Sequence, residues 1–241
     1  MKTVIVSGAS GDIGIACCEK FLNEGYNVVA CYNSNFKPLE SLTQKYTDNN
    51  LLVLKVDVTV KEEIENLFEK AQNTFGTIDA LVCSAGISRH GLIQDVTEEE
   101  LVQIVDVNIK GTFRLNAKAV EYMVKNQNGS IVNISSMWGD TGASCEVAYS
   151  MSKAAVVGLT KALAKEVGPC NIRVNCVSPG LIDTKMNSCY LKEELDAIAE
   201  ETPLMRMGQC SEVAEAVFYL ISDKSSFVTG QVLAVNGGYV I

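Results

Sequence analysis

The sequence predicts an α/β fold in which helices cover both faces of a doubly wound parallel sheet of seven strands, within a single domain of residues 1–241. Two observations support this prediction. Short apolar runs rich in β-branched residues alternate with longer segments of helical period along the whole chain, which is typical of repeated strand-helix-strand units. The short runs are apolar on successive residues rather than on alternate ones, as expected for strands that are covered on both faces.

The predicted elements follow one another in regular order. The strands are Thr3–Val6, Asn27–Cys31, Leu51–Val56, Ala80–Cys83, Ser130–Ile134, Arg173–Val177 and Gln231–Val235. Helical patterns begin near Ile13, Leu39, Lys61, Glu98, Ala148, Lys192 and Ser211, and the longest of them cover 98–125 and 148–167. No Pro/Ser-rich linker or block of charge marks a domain boundary between these elements.

Composition limits the classes of function. Apolar residues make up 47% of the chain and charged residues 20%, which is typical of a folded protein rather than a disordered one. The formal net charge of −9 opposes binding to nucleic acid or to anionic membranes, because both carry dense negative charge. The sequence shows no signal-peptide pattern and no apolar run of membrane-spanning length, so we expect a cytoplasmic protein.

Cysteine and histidine usage indicates neither a metal site nor disulfides. The nine cysteines show no Cys-x-x-Cys spacing and lie mostly in apolar segments, and His90 is the single histidine. We therefore expect reduced core thiols, no bound metal and a solvent-exposed His90.

A glycine-rich turn joins the first predicted strand to the first helix, in the sequence Ser7-Gly8-Ala9-Ser10-Gly11-Asp12-Ile13-Gly14. Glycines at such a turn let backbone N–H groups and the positive end of the helix dipole face a pyrophosphate. The position after an N-terminal strand in an alternating chain favours a bound dinucleotide over a tight turn without a ligand, and so predicts a Rossmann-type fold.

The residues after the second strand indicate which dinucleotide is preferred. A carboxylate there would bind the ribose 2′-hydroxyl of NAD, whereas this chain reads Tyr32-Asn33-Ser34-Asn35. Asn33 and Ser34 offer hydrogen bonds to a 2′-phosphate and Lys37 offers positive charge, so NADP(H) is favoured over NAD(H).

A serine and a Tyr-x-x-x-Lys pair form the candidate reactive group. Tyr149 and Lys153 share one face of a predicted helix, where a lysine cation beside the phenol would lower the tyrosine pKa. Ser136, at the end of the fifth strand, would polarise the same carbonyl oxygen that Tyr149 protonates. These groups would serve hydride transfer between a nicotinamide and a carbonyl group. The alternative is a surface helix with a chance Tyr/Lys pair, which the spacing alone favours.

Together these motifs resemble the short-chain dehydrogenase/reductase family over nearly the whole chain. The resemblance implies that Tyr149 is the acid/base, that Lys153 holds the nicotinamide ribose, that Ser136 orients the carbonyl and that Asn108 anchors a water of the proton relay. The residues expected to contact the cofactor are Gly8, Ser10, Ile13, Gly14, Asn33, Ser34, Asp57, Val58, Ala85, Gly86, Tyr149, Lys153, Pro179, Gly180, Ile182 and Thr184.

Two positions depart from the family pattern. Asp12 stands where the family has a glycine, and we expect it to be tolerated because its carboxylate can cap free N–H groups at a helix start. Cys83-Ser84 stands where the family usually has two asparagines, which predicts weaker cofactor binding and unchanged chemistry.

Two subfamilies compete for the substrate. The general match is to 3-oxoacyl-carrier-protein reductases, but basic residues that would dock an acidic carrier are sparse, with only Lys125 in 122–129 and none in 168–172 before Arg173. The segments 138–149 and 235–241 look like bacterial elongation factor P 5-aminopentanone reductases, which act on a ketone attached to a lysine of a partner protein.

Glu146 and Trp138 are candidate substrate contacts, in addition to Ser136 and Tyr149. Glu146 offers a carboxylate to an amine cation, and the alternative is a solvated loop glutamate. Trp138 offers an apolar wall, and the alternative is a core tryptophan.

Two expectations concern assembly and the absence of catalysis. Small residues such as Ala154, Gly158 and Ala162 permit close helix approach, and the family resemblance implies a homodimer or homotetramer. The alternative from another class is a non-catalytic NADP(H)-sensing protein, which would bind the cofactor without turnover that depends on Tyr149.

Overall fold

The computed structural model describes residues 1–46 and 49–241, without the side chains of residues 188 and 189. In that part of the chain one sheet contains the strands β1 (Thr3–Ser7), β2 (Asn27–Tyr32), β3 (Leu51–Lys55), β4 (Ala80–Cys83), β5 (Gly129–Ile134), β6 (Ile172–Pro179) and β7 (Val232–Val235). Every neighbouring pair is parallel, in the order β3-β2-β1-β4-β5-β6-β7. The predicted fold class is confirmed, and each strand ends within two residues of its predicted end.

The helices also follow the predicted order. In the described residues they are α1 (Asp12–Asn23), α2 (Glu40–Lys45), α3 (Lys61–Phe75), α4 (Glu98–Ile104), α5 (Thr112–Asn126), α6 (Met137–Thr141), α7 (Val147–Val167), α8 (Lys192–Glu201) and α9 (Cys210–Ile221). The short helix α6 is not predicted by the sequence. The predicted helix over 98–125 is wrong as one regular element, because α4 and α5 are joined by a π-helical segment, Val105–Gly111.

Two apolar clusters cover the two faces of the sheet. Val4 and Val6 belong to the cluster that contains α1 and α9, whereas Ile5 belongs to the cluster that contains α3, α5 and α7. Successive residues of β1 therefore face opposite sides, and all five are buried. This explains why the strand sequences are apolar without alternation.

Most of the described cysteine side chains are buried. Among the described side chains the free thiols that are buried are Cys17, Cys18, Cys31, Cys83 and Cys176, and those that are half-buried are Cys145, Cys170 and Cys210. The prediction of core thiols is confirmed for the first five. The side chain of Cys189 lies outside the described residues.

Residues 1–46 and 49–241 offer neither a membrane-spanning helix nor a cluster of metal ligands. No helix there is both long enough and apolar enough to cross a bilayer. In the same residues no group of three or more His, Cys, Asp and Glu side chains is placed to hold a metal ion.

The order of the strands creates a crevice above β1 and β4. The chain passes from β1 to β2 and β3 on one side and then returns to β4 on the other side of β1. The connections after β1 and β4 therefore diverge, and ligands of such sheets bind at the carboxyl ends of the strands where this happens. The glycine-rich turn follows β1, and Ser84-Ala85-Gly86 follows β4, so both lie at this crevice.

Candidate active site

The glycine-rich turn is in close backbone contact with the segment after β4. Gly8 has φ +65°, and a Cβ added to it would lie 2.6 Å from the Ala85 nitrogen. A Cβ on Gly14 would lie 2.2 Å from the Gly8 oxygen. Helix α1 starts after Gly11, which has no side chain to cap the helix, so N–H groups of the first turn remain for an anion. The turn therefore fits a pyrophosphate group.

Asp12 is the first residue of α1, and its carboxylate contacts the segment after β6. Its Oδ2 accepts a hydrogen bond from the Lys185 backbone N–H at 2.7 Å, and its Oδ1 lies 3.9 Å from Lys185 Nζ. The sequence analysis expects the Asp12 carboxylate to cap its own helix, and this part of the prediction is wrong. The carboxylate instead joins two segments that are 173 residues apart in the sequence.

The segment after β6 lies beside this turn. A Cβ on Gly180 would lie 2.6 Å from the Asn236 Cα, so glycine allows close contact with the end of β7. Ile182 forms an isolated parallel bridge with Gly208. Pro179, Ile182 and Thr184 are thereby held on the same edge of the sheet as Gly8 and Gly14.

The residues after β2 and β3 meet at the other end of the crevice. Asn33 and Ser34 are exposed, and Asn33 Nδ2 donates a hydrogen bond to Asp57 Oδ2 at 3.5 Å. Asp57 Oδ1 accepts from the backbone N–H and hydroxyl of Thr59 at 2.8 and 2.7 Å. The residues predicted to contact the adenosine end of the cofactor thus lie together, with no carboxylate among residues 32–35.

Behind Cys83, two other asparagines form amide hydrogen bonds. Asn116 Nδ2 donates to Asn133 Oδ1 at 2.8 Å and contacts Cys83 Sγ at 3.4 Å, while Asn133 Nδ2 donates to Thr160 Oγ1 at 3.0 Å. This buried network links β4, β5, α5 and α7. It supplies bracing at the position where Cys83-Ser84 replaces the asparagines of the family pattern.

Tyr149, Lys153 and Ser136 converge at the carboxyl end of β5, and all three are buried. Lys153 Nζ lies 5.5 Å from the centroid of the Tyr149 ring and donates to the Ile134 carbonyl at 2.9 Å. Ser136 lies close enough to Tyr149 to lower the pKa of its phenol, and Ser136 Oγ accepts from the Trp138 N–H at 3.2 Å. The structure thus brings together the serine, phenol and ammonium groups that the sequence singles out.

Asn108 joins this cluster from the π-helical segment, a conformation that is often found at functional sites. Its Oδ1 accepts from the Ile87 N–H at 2.9 Å, and its Nδ2 donates to the Ile87 carbonyl at 2.8 Å and to Ser152 Oγ at 2.9 Å. A Cβ on Gly86 would lie 3.2 Å from Lys153 Nζ and 3.5 Å from Asn108 Oδ1. Sequence reasoning missed Ser152, although it lies on the same helix as Tyr149.

Burial governs the ionisation of the reactive pair. It raises the pKa of Tyr149 to about 12, where the hydrogen bond from Ser136 opposes the rise and the Glu146 charge adds to it. Burial also lowers the pKa of Lys153 to about 8. The predicted lowering of the tyrosine pKa by Lys153 is therefore wrong for the chain alone, because loss of water around the phenolate outweighs the nearby cation.

Glu146 lies at the amino end of α7, and only 4% of it is exposed. Its carboxylate accepts hydrogen bonds from Ser88 Oγ at 2.7 Å and from Tyr190 Oη at 3.0 Å. His90, which is exposed as predicted, lies with Nδ1 3.8 Å from Glu146 Oε1 and its ring edge-on to Tyr190. The alternative of a solvated loop glutamate is wrong. Sequence reasoning missed Ser88 and Tyr190, for which no local pattern gives a signal.

Trp138 is half-buried and packs edge-to-face on Tyr239, with ring centroids 5.7 Å apart. Its backbone N–H donates to Ser136 Oγ, so the Trp138 backbone lies beside the serine proposed to orient the carbonyl. The alternative of a core tryptophan is wrong, since Trp138 belongs to neither apolar cluster.

The sequence model of a family described as enoyl-(acyl carrier protein) reductase matches residues 8–240. Together with the parallel sheet, the glycine turn and the Ser/Tyr/Lys cluster, this match defines the class: the chain belongs to the short-chain dehydrogenase/reductase family. It is an NAD(P)-dependent oxidoreductase.

Individual relatives extend over the whole chain. The 3-oxoacyl-[acyl-carrier-protein] reductase FabG of Thermotoga maritima is 40% identical over 245 residues, which cover 100% of this chain and 98% of the relative. The uncharacterised oxidoreductase YmfI of Bacillus subtilis is 38% identical over 241 residues, covering 99% and 98%. A solved structure of ElxO with NADP bound has a TM-score of 0.91 and 32% identity, and covers 99% of this chain and 98% of that one.

Gly14→Ala is expected to weaken NADPH binding, because the added Cβ would overlap the Gly8 carbonyl oxygen. Overpacking of about 1–3 kcal/mol corresponds to a roughly 5- to 150-fold rise in Kd, measured by titration of NADPH fluorescence. Gly168→Ala is the matched control, since nothing lies within 4 Å of its added Cβ. Equal Kd values for both variants would contradict the proposed pyrophosphate site.

Lys153→Met is expected to change how stability depends on pH. The folded chain releases the Lys153 proton near pH 8, whereas an unfolded lysine releases it near pH 10.5. Between these values the unfolded chain binds more protons, so this lysine makes the free energy of unfolding rise with pH. The variant should lose that rise.

The free energy of unfolding of the variant and of the wild type is measured with urea at pH 7 to 10.5. The stability gained by the variant over the wild type should be largest at pH 7 and should become smaller as the pH rises. The exposed Lys165→Met on the same helix controls for removal of a lysine. A difference for Lys153→Met that is constant with pH would contradict the prediction.

Proposed function

We propose that this protein reduces a ketone to a secondary alcohol with NADP(H), using Tyr149 as the acid/base. The observation that carries the proposal is the buried convergence of Tyr149, Ser136 and Lys153 beside the dinucleotide crevice. Lys153 and Asn108 take the supporting roles that the family resemblance implies.

The chemistry follows from the groups at this point. When bound, reduced nicotinamide supplies a hydride to the carbonyl carbon. The Ser136 and Tyr149 hydroxyls donate hydrogen bonds to the carbonyl oxygen, and Tyr149 Oη gives up its proton as that oxygen becomes an alcohol. The Lys153 ammonium then stabilises the phenolate, and Asn108 holds a water through which the proton returns. Burial raises the pKa of Tyr149 to about 12, so the phenol is protonated at neutral pH and depends on the Lys153 ammonium to stabilise the phenolate when it releases its proton.

NADP(H) is the proposed cofactor. Residues 33–35 after β2 include the exposed Asn33 and Ser34 and no carboxylate of their own, so hydrogen-bond donors are available to a 2′-phosphate there. The nearby Asp57 carboxylate already accepts from Asn33 and Thr59. NADP in the related ElxO structure supports the same preference.

For the substrate we propose a ketone that carries an amine, of the 5-aminopentanone type on a lysine of a partner protein. Glu146 supports it: among the described ion pairs, its carboxylate has only His90 and neither a lysine nor an arginine. Arg173 supports it too, because its guanidinium donates to the Leu220 and Ile221 carbonyls at 2.6 and 3.0 Å and is not free to dock an acidic carrier. The net charge of −9 would also repel such a carrier.

The second candidate is reduction of a 3-oxoacyl thioester on an acyl carrier protein. It is supported by 40% identity over the full chain to an enzyme with that name in Thermotoga maritima. A non-catalytic NADP(H) sensor differs from both candidates, because it would bind the cofactor without turnover that depends on Tyr149.

Assembly into a homodimer or homotetramer is part of the proposal. In the isolated chain α5 and α7 expose apolar side chains, including Phe113 at 57%, Val147 at 45% and Met151 at 48%. Burial of these side chains between copies would remove apolar surface from water. Light scattering that returned the mass of one chain would contradict it.

Tyr149→Phe is expected to reduce kcat for ketone reduction by roughly 10²- to 10⁴-fold, because it removes only the proton donor. The assay follows NADPH oxidation with an acetoacetyl thioester and an aminoketone side by side. NADPH binding should be unchanged, and Tyr219→Phe, at an exposed site on α9, should retain full activity. Turnover that survives in Tyr149→Phe would remove Tyr149 from the mechanism.

Glu146→Gln is expected to separate the two ketones. Loss of the carboxylate charge should raise KM for the aminoketone roughly 10- to 100-fold, the range for one hydrogen bond to a charged group, and leave KM for the thioester unchanged. Tyr190→Phe is the matched control, since it removes one donor to Glu146 and keeps the charge. Equal losses with both ketones would remove Glu146 from substrate recognition.

A further inference from the structure

The last residues of the chain form a compact turn, here called the C-terminal turn, residues 236–240. Asn236 Oδ1 accepts from the Gly238 N–H at 3.0 Å, and its Nδ2 donates to the Val240 carbonyl at 2.9 Å. The Tyr239 N–H donates to the Asn236 carbonyl at 3.1 Å. Gly237 and Gly238 have φ values of +64° and +89°, which other residues adopt only with strain. The turn is therefore ordered by its own hydrogen bonds.

The C-terminal turn packs against the end of α8. A Cβ on Gly237 would lie 2.6 Å from Thr202 Cγ2, and the Leu204 N–H donates to the Gly237 carbonyl at 3.2 Å. Tyr239 Oη donates to Glu201 Oε2 at 3.2 Å. Burial and then this carboxylate raise the pKa of Tyr239, so its phenol keeps the proton that it donates.

The Tyr239 ring also contacts the reactive side of the molecule. It packs edge-to-face on Trp138 at an interplanar angle of 85°. Trp138 follows Ser136 by two residues and donates its N–H to Ser136 Oγ. One side chain of the C-terminal turn thus touches both α8 and the helix turn that begins at the proposed carbonyl-orienting serine.

We propose that Tyr239 is a positioning residue of this enzyme, which fixes Trp138 as a wall of the ketone site and joins α8 to that wall. The inference rests on the proposed function, because it assigns Ser136 and its neighbours to ketone binding. Tyr239 acts through Trp138 and Glu201, so its loss should weaken ketone binding and leave hydride transfer and NADPH binding intact.

The test compares Tyr239→Ala, which removes both contacts, with Tyr239→Phe, which keeps the ring and removes the hydroxyl. Trp138 is the single tryptophan of the chain, so its fluorescence reports on the contact directly. For Tyr239→Ala we expect emission at longer wavelength, stronger quenching by acrylamide and a roughly 2- to 10-fold rise in ketone KM, the range for one edge-to-face pair. Tyr239→Phe should keep the wild-type emission and show a smaller rise in KM.

Controls separate positioning from general loss of structure. kcat and the Kd for NADPH should stay within about twofold of wild type in both variants, and Tyr219→Ala should change neither emission nor KM. Unchanged emission or unchanged KM in Tyr239→Ala would overturn the inference, as would kcat and NADPH binding falling together with ketone binding in Tyr239→Phe. Failure of the proposed function gives a different result, because the wild-type protein itself would then turn over neither ketone. That result would overturn the proposed function and the inference about Tyr239 together.

Discussion

The backbone contact between the glycine-rich turn and the segment after β4 is the constraint on which the rest of the site depends. Gly8 and Ala85 approach so closely that a single Cβ would separate them. The same segment continues to Gly86, whose missing side chain leaves room for Lys153 and Asn108. One tight contact thus places the dinucleotide crevice and the reactive groups next to each other. A wider separation would put the hydride donor out of reach of the carbonyl.

Exclusion of water then sets the charges of the reactive pair. Burial raises the pKa of Tyr149 to about 12 and lowers that of Lys153 to about 8. The two pKa values, which are ordinarily similar, are therefore far apart. At neutral pH the phenol holds its proton while the lysine remains mostly charged. The phenol is therefore in the protonated form that a donor needs, while the nearby Glu146 carboxylate opposes its conversion to the phenolate.

Polar groups in the interior are paired throughout the described residues, where no buried side-chain N or O lacks a partner. This pairing allows an acidic protein to bury Glu146, because Ser88 and Tyr190 satisfy the carboxylate with neutral hydroxyls. It also explains why Arg173 is committed to backbone carbonyls. Few charged side chains in this described interior are therefore left without a partner in the protein and available to bind a substrate, which limits the substrates that the site can recognise by charge.

The sequence by itself determined the fold class, the glycine turn and the common face of Tyr149 and Lys153, because each follows from a local period or from one short motif. Tertiary structure decided the partner of Asp12, the burial of Glu146, the π-helical placement of Asn108 and the tyrosine pKa. These features depend on contacts between segments distant in the chain. No local pattern encodes how much water such contacts remove, and that removal sets the cost of each buried charge.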